Sequence, residues 1–289
     1  MSSLIRIENQ YLTVEVSPLG AEMQSITSHD GRSWLWNGDA SFWTGRSPVL
    51  FPIVGKAPDD TLIVNGQGYP MGQHGFARRQ EFTLAASNET YCRFALASSE
   101  ATRAVYPFDF DFSVRHSLED RTLIVSVEVV NHGDHPMPFG FGFHPAFAWP
   151  LPGGQGLPHT ITLDSGAEPA LHRLKGGLLS DEPLPSPFHA GRLLLDHSQY
   201  DADAMIFPED AGPGLTYAAE GGPSLKFHFE NLPNLALWTK PGAPFLCIEP
   251  WHGTAAIAGG SRELADRPYT TLLGLGQSIR FGFSVTFDV

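Results

Sequence analysis

The chain has 289 residues, of which 42% are hydrophobic and 17% charged, a composition that can bury a sizeable core as one large unit. Its formal net charge of −13 repels phosphate backbones and anionic lipid, which argues against nucleic-acid and membrane partners. Two cysteines, Cys92 and Cys247, are too few for a disulfide framework or a zinc cluster and read as buried free thiols in apolar runs.

Alternation of apolar and polar residues begins at once, in Ile5–Glu8 and Leu12–Val16, until Pro18-Leu19-Gly20 turns the chain into a returning strand over Ala21–Ser28. Further strands are predicted at Thr61–Val64, Gly68–Met71, Glu81–Ala85 and Tyr91–Ala97. Ser99–Val105 has room for one helical turn before Tyr106-Pro107. Asp111–Leu118 and Leu123–Val130 then form a hairpin around Glu119-Asp120-Arg121. Pro138–Phe143 follows, and Leu151–Pro187, rich in Gly, Pro and His, reads as elaborated loops around a strand at Thr160–Leu163. The remaining strands are Arg192–Leu195, Ala204–Phe207, Leu215–Ala218, Leu225–Phe229, Ala236–Thr239, Phe245–Ile248, Thr270–Leu273 and Ser278–Phe287. Gly253–Ala265 is too glycine-rich to assign. Thirty glycines and 24 prolines spread along the chain supply the turns. The expected fold is a large antiparallel β-sandwich, all-β, with residues 1–289 as a single domain. No apolar run approaches the ~18 residues of a membrane span, and Met1–Glu8 has no signal-peptide pattern, so a cytoplasmic protein is expected.

Three segments stand apart from plain strand and turn. Gly72-Gln73-His74-Gly75-Phe76-Ala77-Arg78-Arg79 sets a histidine and two arginines beside glycine. Phe139–His144 is an aromatic strand ending in histidine before Pro145, and Phe245–Glu249 is an apolar strand ending in glutamate before Pro250. Proline should bias His144 and Glu249 to extended backbone and stop the ladder there, leaving both at strand ends facing a cleft. Aromatic neighbours such as Phe143, Phe147 and Trp251 would raise a carboxylate toward the range of a general base. Each residue alone has an ordinary structural explanation: a hydrogen-bonded histidine, a solvated strand-end glutamate, surface pairs for Arg46, Arg78 and Arg79. Spacing therefore yields a β-sandwich with an acid/base site and no more. His132-Gly133-Asp134-His135 offers metal-type side chains without an obvious third partner, and no metal site is expected there. No nucleophile elbow, Walker loop or dinucleotide fingerprint is present.

Taken in order, Gly45–Gly55, Met71–Arg78, Gly142–Phe147, Asp203–Phe207 and Leu237–Gly253 resemble the aldose 1-epimerase (galactose mutarotase-like) superfamily. The likeness is greatest to its LacX-like branch, which is also similar to glucose-6-phosphate 1-epimerases. The resemblance implies a β-supersandwich without cofactor or metal that acts on a small sugar or sugar phosphate, as a monomer or homodimer. It implies Glu249 as the base that takes the anomeric hydroxyl proton and His144 as the acid that protonates the ring oxygen, the two lying on opposite sides of the sugar. His74 and Asp203 would hold ring hydroxyls, with Asp201 an alternative to Asp203. Arg46 and Arg78 would bind a hydroxyl or a substrate phosphate, and Trp251 would line the site. The chain departs from the pattern after Gly253, where Arg267 stands near the place of an expected rim lysine.

Overall fold

A computed structural model describes residues 3–288. Nine antiparallel strands form the larger sheet, in the order Arg192–Leu194, His159–Leu163, Gly214–Ala219, Ser224–Glu230, Ser278–Asp288, Thr122–Asn131, Phe110–Glu119, Tyr91–Ala97 and Thr83–Ser87. Its strands have one wet face. Along Phe110–Glu119, Phe110, Phe112, Val114, His116 and Leu118 are buried and the residues between them are more exposed.

The second sheet runs Met205–Phe207, Asn234–Trp238, Phe245–His252, Phe141–Phe143 and Val49–Leu50, with Ala146–Ala148 also pairing onto Phe245–His252. The two sheets meet through aromatic rings. Phe141 stacks on Phe281 at 4.9 Å, Phe143 meets Phe283 edge-on at 4.9 Å, and Phe147 meets Phe227 at 5.1 Å. Burying each such ring contributes roughly 1.5–3 kcal/mol. A three-stranded sheet of Ile5–Glu8, Leu12–Val16 and Met23–Ser28 adds Ile7, Val14 and Ile26 to the same core. The fold is the expected all-β antiparallel sandwich, and no described helix is long and apolar enough to cross a membrane. The one α-helical turn among the described residues, Glu100–Arg103, is capped reciprocally by Ser99 and Thr102.

Two expected strands differ in a way that matters for the site. Pro138–Phe143 is not continuous: Met137–Phe139 pairs with Thr271–Leu273, and Phe141–Phe143 joins the second sheet. The change falls at Gly140, whose N–H donates to the Pro52 carbonyl. Phe245–Ile248 does not stop at Glu249 but continues through Pro250 to His252. Proline is tolerated because only one neighbour loses a donor. Ile248 N–H points to the Pro145 carbonyl, so the absent N–H of Pro250 faces that same side, and pairing with Asn234–Trp238 goes on undisturbed.

Candidate active site

The second sheet is buried on both faces, and its strand parity sorts the residues. On Phe245–His252, Leu246 and Ile248 enter the inter-sheet core, while Phe245, Cys247, Glu249 and Trp251 share the opposite face. Phe141 pairs with His252, Gly142 with Trp251 and Ala146 with Cys247, one unbroken antiparallel register. That register sets His144 directly across from Glu249. Trp251 lies against Gly142, where a Cβ would come within 2.4 Å of the indole Cδ1, so only glycine leaves space for the ring.

The outer face of this sheet forms part of the wall of a cavity of about 340 Å³, which His74, Arg78, His144, Asp203, Glu249 and Trp251 line. His144 Nε2 and Glu249 Oε2 are 3.2 Å apart, with only 7% and 2% of each residue exposed. The sugar-sized gap expected between them is therefore absent. They touch, and the cavity opens beside both. Pro145 and Pro250 explain how the contact forms, since each removes an N–H from the seam between their strands at this point.

Indoles hold the imidazole. Trp43 stacks on His144 at 4.9 Å and Trp238 meets it edge-on at 5.8 Å. The Trp43 segment is fixed in turn by Trp36 Nε1, which donates to the Trp43 carbonyl at 2.8 Å, and by Lys240 Nζ, which donates to the Phe42 carbonyl at 3.1 Å. Trp43 lies in a loop, where no period separates wall from core, and Trp238 ends the strand Asn234–Trp238, where an apolar residue reads equally as core, so neither was marked as a wall residue by the sequence.

His74 adopts a left-handed backbone, φ +65°. Its N–H donates to Gly55 O at 2.8 Å, and its Nδ1 accepts from Gly55 N–H at 3.0 Å. The neutral ring thus carries its proton on Nε2. Gly75, next in the chain, packs so tightly on Phe51 that a Cβ would lie 2.1 Å from the Phe51 carbonyl oxygen. Both candidate aspartates are exposed, but Asp203 lines the cavity, whereas Asp201, at the end of the turn His197–Tyr200, does not. Asp203 is also left-handed, φ +69°, and Arg173 holds its loop by donating to the carbonyls of Asp203, Ala204 and Gln199 at 2.6, 3.1 and 2.7 Å. Both of these left-handed residues line the cavity.

The arginines divide. Arg78 lines the cavity, donates to the Gln73 carbonyl at 2.9 Å and leaves its buried Nε unpartnered. Arg46 is not on the cavity wall: its Nη1 donates to the Gln24 carbonyl at 2.7 Å and its N–H to Glu22 Oε1 at 2.7 Å, so it braces a neighbouring segment. Arg267 is not a rim residue either. It is buried, and Nη2 donates to the Val54 and Thr254 carbonyls at 3.3 and 2.8 Å. His132 pairs with Asp111 at 2.8 Å and His135 with Asp134, both at the exposed surface.

Burial governs the protonation states. Desolvation pushes His144 down to about 3 and holds His74 well below the usual histidine range, helped there by His144, Arg78 and Arg79. Desolvation, then the nearby Asp203 carboxylate, raises Glu249 well above the usual carboxylate range. A buried acid of raised pKa beside a base, on a cavity wall, can exchange protons with a bound ligand.

An "Aldose 1-epimerase" family profile matches residues 3–258. The chain is 30% identical over 279 residues to Protein LacX, chromosomal, of Lactococcus lactis subsp. lactis, covering 92% of this chain and 93% of that one. Its fold is similar to the galactose mutarotase related enzyme of Lactobacillus acidophilus, with TM-score 0.93, 29% identity and coverage of 99% and 98%. It is equally similar to a galactose mutarotase-like protein of Lactobacillus casei, with TM-score 0.92, 28% identity and coverage of 99% and 100%. By the extent of these matches, the chain belongs to the aldose 1-epimerase family.

Proposed function

We propose that the protein interconverts the α and β anomers of a hexose by opening and reclosing its hemiacetal ring, with His144 and Glu249 as the acid/base pair. The observation that carries this reading is their 3.2 Å contact on the cavity wall. Ring opening removes a proton from O1 as another reaches the ring oxygen. Both oxygens are bonded to C1, so the donor and acceptor must also stand close together.

The pair carries one mobile proton, which burial favours on Glu249 in the free protein. Moving it to His144 yields the carboxylate and imidazolium. Sugar oxygens then replace the contact between them: Glu249 takes the O1 proton and His144 protonates the ring oxygen. The open aldehyde turns about C1–C2 and recloses with the roles exchanged. Each proton transfer is worth ~10²–10⁴-fold. His74, Asp203 and Arg78 would hold hydroxyls, and Trp43, Trp238 and Trp251 would face the apolar parts of the ring.

Beside the singly protonated pair, one carboxylate, Asp203, and one guanidinium, Arg78, line the cavity among the described residues, and a site without excess positive charge favours hydroxyls over a phosphate dianion. Polarimetry or NMR exchange with a freshly dissolved hexose tests the proposal, with the corresponding hexose 6-phosphate run in parallel. Catalysed equilibration of the free hexose supports it. Saturable binding without turnover would make the protein a carbohydrate-binding module instead.

A further inference from the structure

Cys247 lies on the same strand face as Glu249, two residues before it, and opposite Ala146 in the register that sets His144 opposite Glu249. One ligating atom from each of His144, Cys247 and Glu249 falls within 4.8 Å of the other two, and all three residues are buried. His144 Nδ1 has no hydrogen-bond partner despite its burial. From this geometry we infer that the three side chains form a binding site for one soft divalent metal ion, of the zinc or cadmium class, which excludes the sugar.

The donor set decides the class. A thiolate, an imidazole and a carboxylate suit Zn²⁺ or Cd²⁺, whereas Mg²⁺ and Ca²⁺ require oxygen ligands. In a tetrahedral zinc site bonds of ~2.0–2.3 Å set the ligand atoms roughly 3.5 Å apart, so small rotations of Glu249 and His144 close the set. His144 and Glu249 line the cavity, so an ion held there would be reached by water from that side. The Cys247 thiol is disfavoured as a thiolate by burial and by Glu249, and a coordinated metal removes that proton. Because His144 and Glu249 would be ligands, metal and hexose compete.

The test reads binding without relying on activity, so it stands or falls apart from the proposed reaction. Cd²⁺ is titrated into metal-free protein and its thiolate-to-metal absorption band followed. The chain has two cysteines, so in Cys92→Ala any such band comes from Cys247. The expected result is a band saturating at one equivalent in the wild type and in Cys92→Ala, lost in Cys247→Ala, weakened at least about tenfold in Glu249→Gln, and absent with Mg²⁺. A hexose that binds the cavity should shift the midpoint to higher metal. No band in folded Cys92→Ala, or a band of undiminished height in Cys247→Ala, overturns the inference.

Discussion

His144 faces Glu249 across an antiparallel pairing in which both following residues are proline, and the ring Nε2 meets the carboxylate at 3.2 Å. Pro145 and Pro250 take two donors out of one seam, and the outer neighbours of both strands keep the pair aligned: His144 N–H donates to Pro48 O at 3.1 Å, and Ala236 pairs with Glu249. The acid and base are thus placed by strand register: Glu249 lies within the buried strand Phe245–His252, and His144 sits between Phe141–Phe143 and Ala146–Ala148, which pair with that strand on either side of it.

Neutralising either member should therefore remove catalysis and spare the fold. Glu249→Gln and His144→Gln are each expected to lower kcat by ~10²–10⁴-fold. The double variant should lose little beyond the worse single one, because the two act as a unit. Circular dichroism and thermal melting check the fold while polarimetry reads the rate. A Glu249→Gln enzyme of undiminished rate would remove the carboxylate from the mechanism.

The same pair sets the pH profile. Catalysis needs the pair to carry one proton. A second proton enters on His144, held down to about 3 by burial, and the sole proton leaves from Glu249, held well above the usual carboxylate range. The rate kcat/KM should be flat through neutral pH, fall only in strong acid, and fall again on the alkaline side. Background-corrected polarimetry across pH checks this. An acid limb centred near the free histidine value, about 6.5, would mean that His144 titrates as an exposed imidazole and that the pocket is wet.

The strands were legible because alternation is local: Thr61–Val64 and Tyr91–Ala97 have the observed bounds, and Asp111–Leu118 is short by one residue at each end. His144 and Glu249 could be suspected from their prolines, but their contact depends on a register shared by segments a hundred residues apart, which no local pattern encodes. Arg46 shows the converse. Its neighbours match the family pattern, yet the Gln24 carbonyl captures its guanidinium, and only tertiary packing decides that. Trp43 was invisible for the same reason, since its place on the cavity wall comes from its stacking on His144.

Gly142 is the floor on which Trp251 rests. Alanine there would place Cβ at 2.4 Å from the indole Cδ1, and the ring is 4% exposed with little room to retreat. Overpacking of this kind costs ~1–3 kcal/mol. Gly142→Ala should lower the melting temperature and, by displacing Trp251 into the cavity, raise KM for the hexose. Differential scanning calorimetry and steady-state polarimetry measure the two effects. Unchanged stability would mean that the indole has a second resting place.

Acid stability should be limited by histidines buried in neutral form, and His116 isolates the effect. It lies on the core face of Phe110–Glu119, 2% exposed, away from the cavity wall, with Nδ1 unpartnered, and burial pushes it down to about 3. Its folded value lies below the unfolded value of about 6.5, so between those limits the unfolded chain binds a proton that the folded chain refuses. Stability contributed by neutral His116 is present above about pH 6.5 and is lost on acidification, at about 1.4 kcal/mol per pH unit until pH ~3. His74 and His144 pull the same way. Glu249 pulls the other way, because the folded state keeps its proton where the unfolded state has lost it. His116→Leu removes one histidine without touching the acid/base pair. Urea unfolding at about pH 7 and about pH 5 should show the variant losing about 2 kcal/mol less than the wild type between the two. Equal losses would mean that His116 becomes protonated inside the folded protein.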